Sequence, residues 1–206
     1  MFAARNNFLV VPASGGGGVP AGTYAVSNAT TTAAGTSSTS LHGIYYRRSV
    51  KKIIYSGANL ITVVGGGTSG TITGVRWYVI SQPRYQPLPN YNIAIKNQTG
   101  FANPGGSGYE QETGLASRTF FAGTYADFTF SSPFAWTGGE IAMSFSWGQC
   151  PTNYSSSGNG ARVVTASSGG VGVGWNTWTD SAGTYYKTSS ATTVLSTIPI
   201  IEFIFG

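Results

Sequence analysis

The chain has 206 residues and a formal net charge of +5, from eleven Lys and Arg against six Asp and Glu. Only 8% of the residues are charged, against roughly a quarter in ordinary soluble domains. This length suits one domain with chain to spare for an arm or long loops, while the lone Cys150 and lone His42 exclude an intrachain disulfide framework and a Cys/His metal cluster.

Residues 1–40 differ in composition from the rest of the chain. Phe2, Phe8, Leu9, Val10 and Val11 precede a glycine run at 14–18 (SGGGG) and a polar low-complexity stretch at 28–40. An apolar tip on such a tether reads as an arm that anchors the protein to a partner. The same residues also fit a first strand followed by a loose loop. The apolar run at 8–11 is too short for the core of a secretory signal, so no cleaved signal is expected. No stretch approaches the roughly 20 apolar residues of a membrane helix.

The strands are expected from residue 41 onward. Residues 49–55 (SVKKIIY) form a β-rich run that stops at Ser56 and Gly57. Arg47, Arg48, Lys51 and Lys52 cluster here. They suit an anion-binding patch for nucleic acid or an acidic surface, or a strand edge charged against unwanted pairing. A nucleic-acid reader would need a broader basic face tied to stacking aromatics, so nucleic acid is not an expected partner. After a turn at 65–70, residues 71–80 alternate, with a slip near Gly74 that reads as a bulge. Three prolines at 82–90 predict a stiff exposed loop. Residues 91–96 alternate again, with Tyr91, Ile93 and Ile95 on one face.

Residues 100–118 read as a glycine-rich insertion carrying Glu110 and Glu112. Phe128 and Phe130 alternate with Asp127 and Thr129, and Pro133 is expected to break that strand. A turn at Gly138 and Gly139 leads into 141–147, and short strands are expected at 161–166, 171–178 and 184–187. Residues 199–205 (PIIEFIF) close the domain. About eight strands with long connections predict an all-β fold, a jelly-roll-like antiparallel β-sandwich over 41–206 with a flexible N-terminal arm and linker over 1–40 and no helix beyond short turns. Its expected core is Trp77, Val79, Ile93, Ile95, Phe128, Phe130, Met143, Phe145, Ile201 and Phe203.

The six acids show no spacing that selects a catalytic pair, and no serine lies in a nucleophile-elbow motif. A non-enzymatic protein is expected, with no catalytic residues, cofactor or metal. Tyr85, Tyr109, Tyr154, Trp175, Trp178, Tyr185 and Tyr186 lie in or beside loops, where aromatic rings can stack on pyranose sugars. Packing in the core or at the rim is the competing role for each.

The pieces 51–60 (KKIIYSGANL), 70–79 (GTITGVRWYV), 91–96 (YNIAIK) and, above all, 127–138 (DFTFSSPFAWTG), with the closing run 199–205, resemble a β-sandwich module. It is a surface and adhesion module that recurs in secreted proteins of Bacteroidetes-type bacteria and in structural proteins of tailed phages. The resemblance spans roughly residues 45–206 and implies a jelly-roll fold with a role in adhesion, display or assembly. No secretory signal or sorting domain is read in the chain, which favours the phage-type relatives. The expectation is a bacteriophage virion component, such as a capsid decoration or a head, tail or tail-fibre appendage. It would contact other virion proteins and copies of itself as a homo-oligomer, and could reach a host-surface glycan. The alternative is a carbohydrate-binding or adhesive module at a bacterial cell surface or outside the cell.

Overall fold

The computed structural model describes residues 17–27, 41, 48–82, 86–148, 150, 160–161, 163–165, 171–179, 191, 193–195 and 197–206. In chain order the elements are β1 (Gly22–Ala25), β2 (Arg48–Tyr55), α1 (Gly57–Val63), β3 (Gly70–Ser81), β4 (Leu88–Gln98), β5 (Gln111–Arg118) and β6 (Tyr125–Trp136). There follow β7 (Glu140–Trp147), β8 (Gly160–Ala161), β9 (Val163–Thr165), β10 (Gly172–Thr179), β11 (Thr193–Val194), β12 (Thr197–Pro199) and β13 (Glu202–Phe205).

One sheet has the order β1-β13-β3-β6, with β8 pairing further along β3. The other has the order β11-β10-β2-β7-β4-β5, and β9 and β12 form a separate pair. Every strand pairing is antiparallel. Between β1 and β7 the chain crosses from sheet to sheet, except at the β4–β5 hairpin, and it returns to the first sheet with β13. The resulting orders β1-β13-β3-β6 and β2-β7-β4-β5 are those of a jelly roll. The segment between β7 and β13 adds β10 and β11 to the flank of β2.

The core lies between the two sheets and is held mainly by aromatic rings. Trp77 stacks on Phe128 with centroids 4.8 Å apart and meets Phe145 edge-on at 5.8 Å. Tyr91 stacks on Trp147, and Tyr55 meets Phe203 edge-on. The two buried tyrosines keep their hydroxyls satisfied. Tyr91 donates to the Leu41 carbonyl at 2.8 Å and Tyr55 to the Pro199 carbonyl at 2.9 Å. All ten residues expected inside are buried.

Several expectations need correction. Gly22–Ala25, placed in the arm by the sequence, pairs residue for residue with β13, so the sandwich starts well before residue 41. Helix α1 was not expected. Ser56 caps it by accepting from the Asn59 amide at 3.2 Å, and a Cβ at Gly57 would lie 2.5 Å from the Gly139 backbone. Leu88–Asn90 belongs to β4 rather than to an exposed loop, and Gln111–Arg118 is a strand rather than an insertion.

Pro133 does not end β6. Ile72 pairs with Phe134 and Gly74 with Thr129, so Thr73 alone stands opposite residues 130–133. Proline is tolerated there because those residues bulge away from the ladder of an edge strand. The slip expected at Gly74 is this bulge. A Cβ on Gly74 would sit 2.4 Å from the Phe128 carbonyl oxygen. The 184–187 segment lies outside the described residues.

Candidate functional site

Neighbouring residues in β2 point to opposite faces of a sheet, and this splits the basic cluster. Lys51 shares a side with Phe145, its partner in β7, and points into the inter-sheet core. Its ammonium is 3.4 Å from the Ser49 hydroxyl and lies over the Trp147 ring at 4.8 Å. Burial lowers its pKa to about 7. Lys52 points outward but is also fully buried, and it donates to the Gly105 carbonyl. Arg48 is half-buried at the start of β2, and Arg47 lies outside the described residues. No basic surface patch forms from Lys51 and Lys52. The edge reading fails too, because β10 and β7 pair both flanks of β2.

The glycan-platform expectation meets a similar obstacle. Trp175 is opposite Lys52 in the ladder and is buried on the outer face of the six-stranded sheet. Val50, Ile54, Ala142 and Ala191 cluster with it. Tyr109 is half-buried, with the Lys96 ammonium 5.0 Å from its ring centroid. Neither ring is an open platform. The backbone of Trp178 lies in β10. Tyr85, Tyr154, Tyr185 and Tyr186 lie outside the described residues, as do the anchoring candidates Phe2, Phe8, Leu9, Val10 and Val11. At the end of the glycine run, Gly18 bridges to Ser69 and the Val19 amide donates to the Ser69 carbonyl at 2.7 Å. The tether is therefore fixed to the sandwich just before β3.

The open surface is the outer face of the smaller sheet. The ladder places Glu202, Arg76 and Asp127 side by side, with Tyr78 opposite Tyr125 beyond them. Arg76 Nε donates to Glu202 Oε2 at 2.7 Å, and the guanidinium carbon lies over the Tyr125 ring at 4.4 Å. The Glu202 hydrogen bond is the main cause raising the Arg76 pKa. Tyr78 meets Tyr125 edge-on at 5.5 Å. Tyr125 is thus held from two sides while staying 38% exposed, and Phe121, four residues earlier, is 62% exposed.

A ring held in this way loses little freedom when a ligand covers it, and the charged groups beside it can set the ligand's orientation. The sequence reading passed over Tyr78, Phe121 and Tyr125, although Trp77 and Val79 inward already require Arg76 and Tyr78 outward. No protein family matches the chain, and comparison with curated proteins and with solved structures likewise yields no match.

Proposed function

We propose that this protein is a non-enzymatic structural component of a bacteriophage particle, a capsid decoration or a head or tail appendage. It works through contacts with neighbouring subunits and displays its remaining surface to the host. The observation that carries the reading is the unequal treatment of the two outer faces of the jelly roll. One is covered, while the other holds Tyr125 rigid and exposed beside Arg76, Asp127 and Glu202. Such a module suits a fixed assembly in which a single face makes the contacts. The sparse charge of the chain supports the same reading, because a neutral, hydrogen-bonding surface suits permanent neighbours. Peptide mass spectrometry of purified particles tests it. The protein should appear at a fixed copy number, and its absence would reject the proposal.

A second reading draws on the same face. An exposed tyrosine flanked by carboxylates and a guanidinium also suits a carbohydrate-binding module at a bacterial surface. That reading expects a monomer that binds oligosaccharides on a glycan array, and Tyr125→Ala should abolish the signal.

A further inference from the structure

The covered outer face of the six-stranded sheet holds an unusual group of polar atoms. Four side chains on its surface are placed by register. Lys52 is opposite Ser144, and Ser146 is opposite Asn92. Ser144 and Ser146 are two apart in β7 and so share this side. Lys52, Ser144 and Ser146 are all fully buried. Residues 99–110 pass over them as a strap. Lys52 donates to the Gly105 carbonyl, and Lys96 donates to the Pro104 carbonyl and to Ser107 O at 2.8 Å. The strap is fastened at its far side by Asn103, which donates to the Ala191 carbonyl.

The strap leaves this group unsatisfied. Ser146 Oγ and Asn92 Oδ1 are buried atoms with no hydrogen-bond partner, and Ser144 Oγ and the Tyr109 hydroxyl have at most each other. The Tyr109 side chain meets that of Ser144, and burial raises the Tyr109 pKa. Orphaned polar atoms are rare in folded proteins, and several on one face call for a missing partner. The two ammonium groups are bonded to strap carbonyls, which carry no negative charge. Neither makes a salt bridge to a carboxylate among the described residues, and after burial the charge of Lys96 further lowers the Lys52 pKa. Two cations and three hydroxyls therefore share one face, where a polar ligand would serve them together. Lys96 and Asn92 are only half-buried, so the β4 side of the group reaches solvent.

The geometry points to a binding site for a small oxyanion beneath the strap, formed by Lys52, Lys96, Ser144, Ser146 and Tyr109. A carboxylate, phosphate or sulfate group carries the negative charge and acceptor oxygens that ammonium and hydroxyl donors require. The site is separate from the open aromatic face and does not depend on the function proposed for it.

The test is isothermal titration of the full-length chain with inorganic phosphate, with sulfate and acetate as parallel arms. Sodium chloride holds the ionic strength constant, and the buffer is kept below about pH 7, since Lys52 has its pKa lowered to about 8 and must be charged. Saturable binding of at least one oxyanion is expected, and the arm that binds identifies the class. Lys52→Met and Lys96→Gln should each weaken it by at least about ten-fold, and Ser144→Ala by a smaller factor. If Lys52→Met does not fold, Lys96→Gln and Ser144→Ala carry the test. Absence of saturable binding in all three arms would overturn the site. So would binding that Lys96→Gln and Ser144→Ala leave unchanged, or a crystal grown in saturating phosphate that shows only water among these side chains.

Discussion

The two outer faces of this jelly roll are built from the same alternating strands yet end in opposite states. On the smaller sheet, Tyr125 and Asp127 stand exposed, and Arg76 and Glu202 are bonded to each other across the ladder. On the larger sheet, the middle of the face is closed. Lys52, Ser144, Ala94 and Trp175 form a continuous row across four strands, and all four are buried. The difference comes from the connections. The β4–β5 connection is long enough to fold back as a strap, whereas the short turn joining β6 to β7 cannot cover anything. Loops decide which face of a sandwich can meet a partner, and strand chemistry then sets what it can meet.

The largest expected effect tests whether the faces share one core. Phe128→Ala removes a ring stacked on Trp77 and should destabilise the protein by about 3–5 kcal/mol. Chemical denaturation followed by tryptophan fluorescence and by far-UV circular dichroism should show one coincident transition at lower denaturant. Two separated transitions would mean the two sheets fold as independent units.

Next in size is the lysine between the sheets. Lys51 has an ordinary pKa of 10.5, lowered to about 7 by burial. The folded state thus holds fewer protons than the unfolded state between these values. Stability therefore rises as pH climbs through this window, and the penalty for burying the charge is complete below about pH 7. Lys51→Met should stabilise the protein by about 2–4 kcal/mol at about pH 6, and the gain should shrink steadily toward about pH 10. Urea melts at a series of pH values check this, and a gain independent of pH would show that Lys51 is not the titrating group.

The covered face gives a smaller effect. Ser146→Ala removes a buried hydroxyl with no partner and should raise stability by about 1 kcal/mol in oxyanion-free buffer. On the open face the effect on stability should be smallest. Tyr125→Ala loses the edge-on contact with Tyr78 and the cation–π contact with Arg76 at a partly exposed site and should cost about 1 kcal/mol or less. Particle incorporation or glycan binding should nevertheless be lost. A large drop in melting temperature would make Tyr125 a packing residue instead.

The core was legible in the sequence because strand periodicity alone sends Trp77, Val79, Ile93, Ile95 and Phe145 to one side. The covered and open faces were not, because their makeup depends on register between strands far apart in sequence. Asp127 and Glu202 flank Arg76 only through a ladder linking three distant segments. Lys51 and Lys52 looked like one patch because adjacency in sequence hides the opposite directions of neighbouring strand residues. Strand β5 was missed for another reason. Its sequence QETGLASR is polar and lacks β-branched residues apart from Thr113, so pairing with β4 rather than local preference makes it a strand. Helix α1 had a local signal in Ser56, but seven residues are too few for periodicity to show.

The position of β13 bears on how the protein is made. It lies inside its sheet, between β1 and β3, yet it is formed by residues 202–205. Until the ribosome releases those residues, β1 has no ladder partner and one flank of β3 stays open. The smaller sheet therefore closes only in a step that joins residues 22–25 to residues 202–205, far apart in sequence.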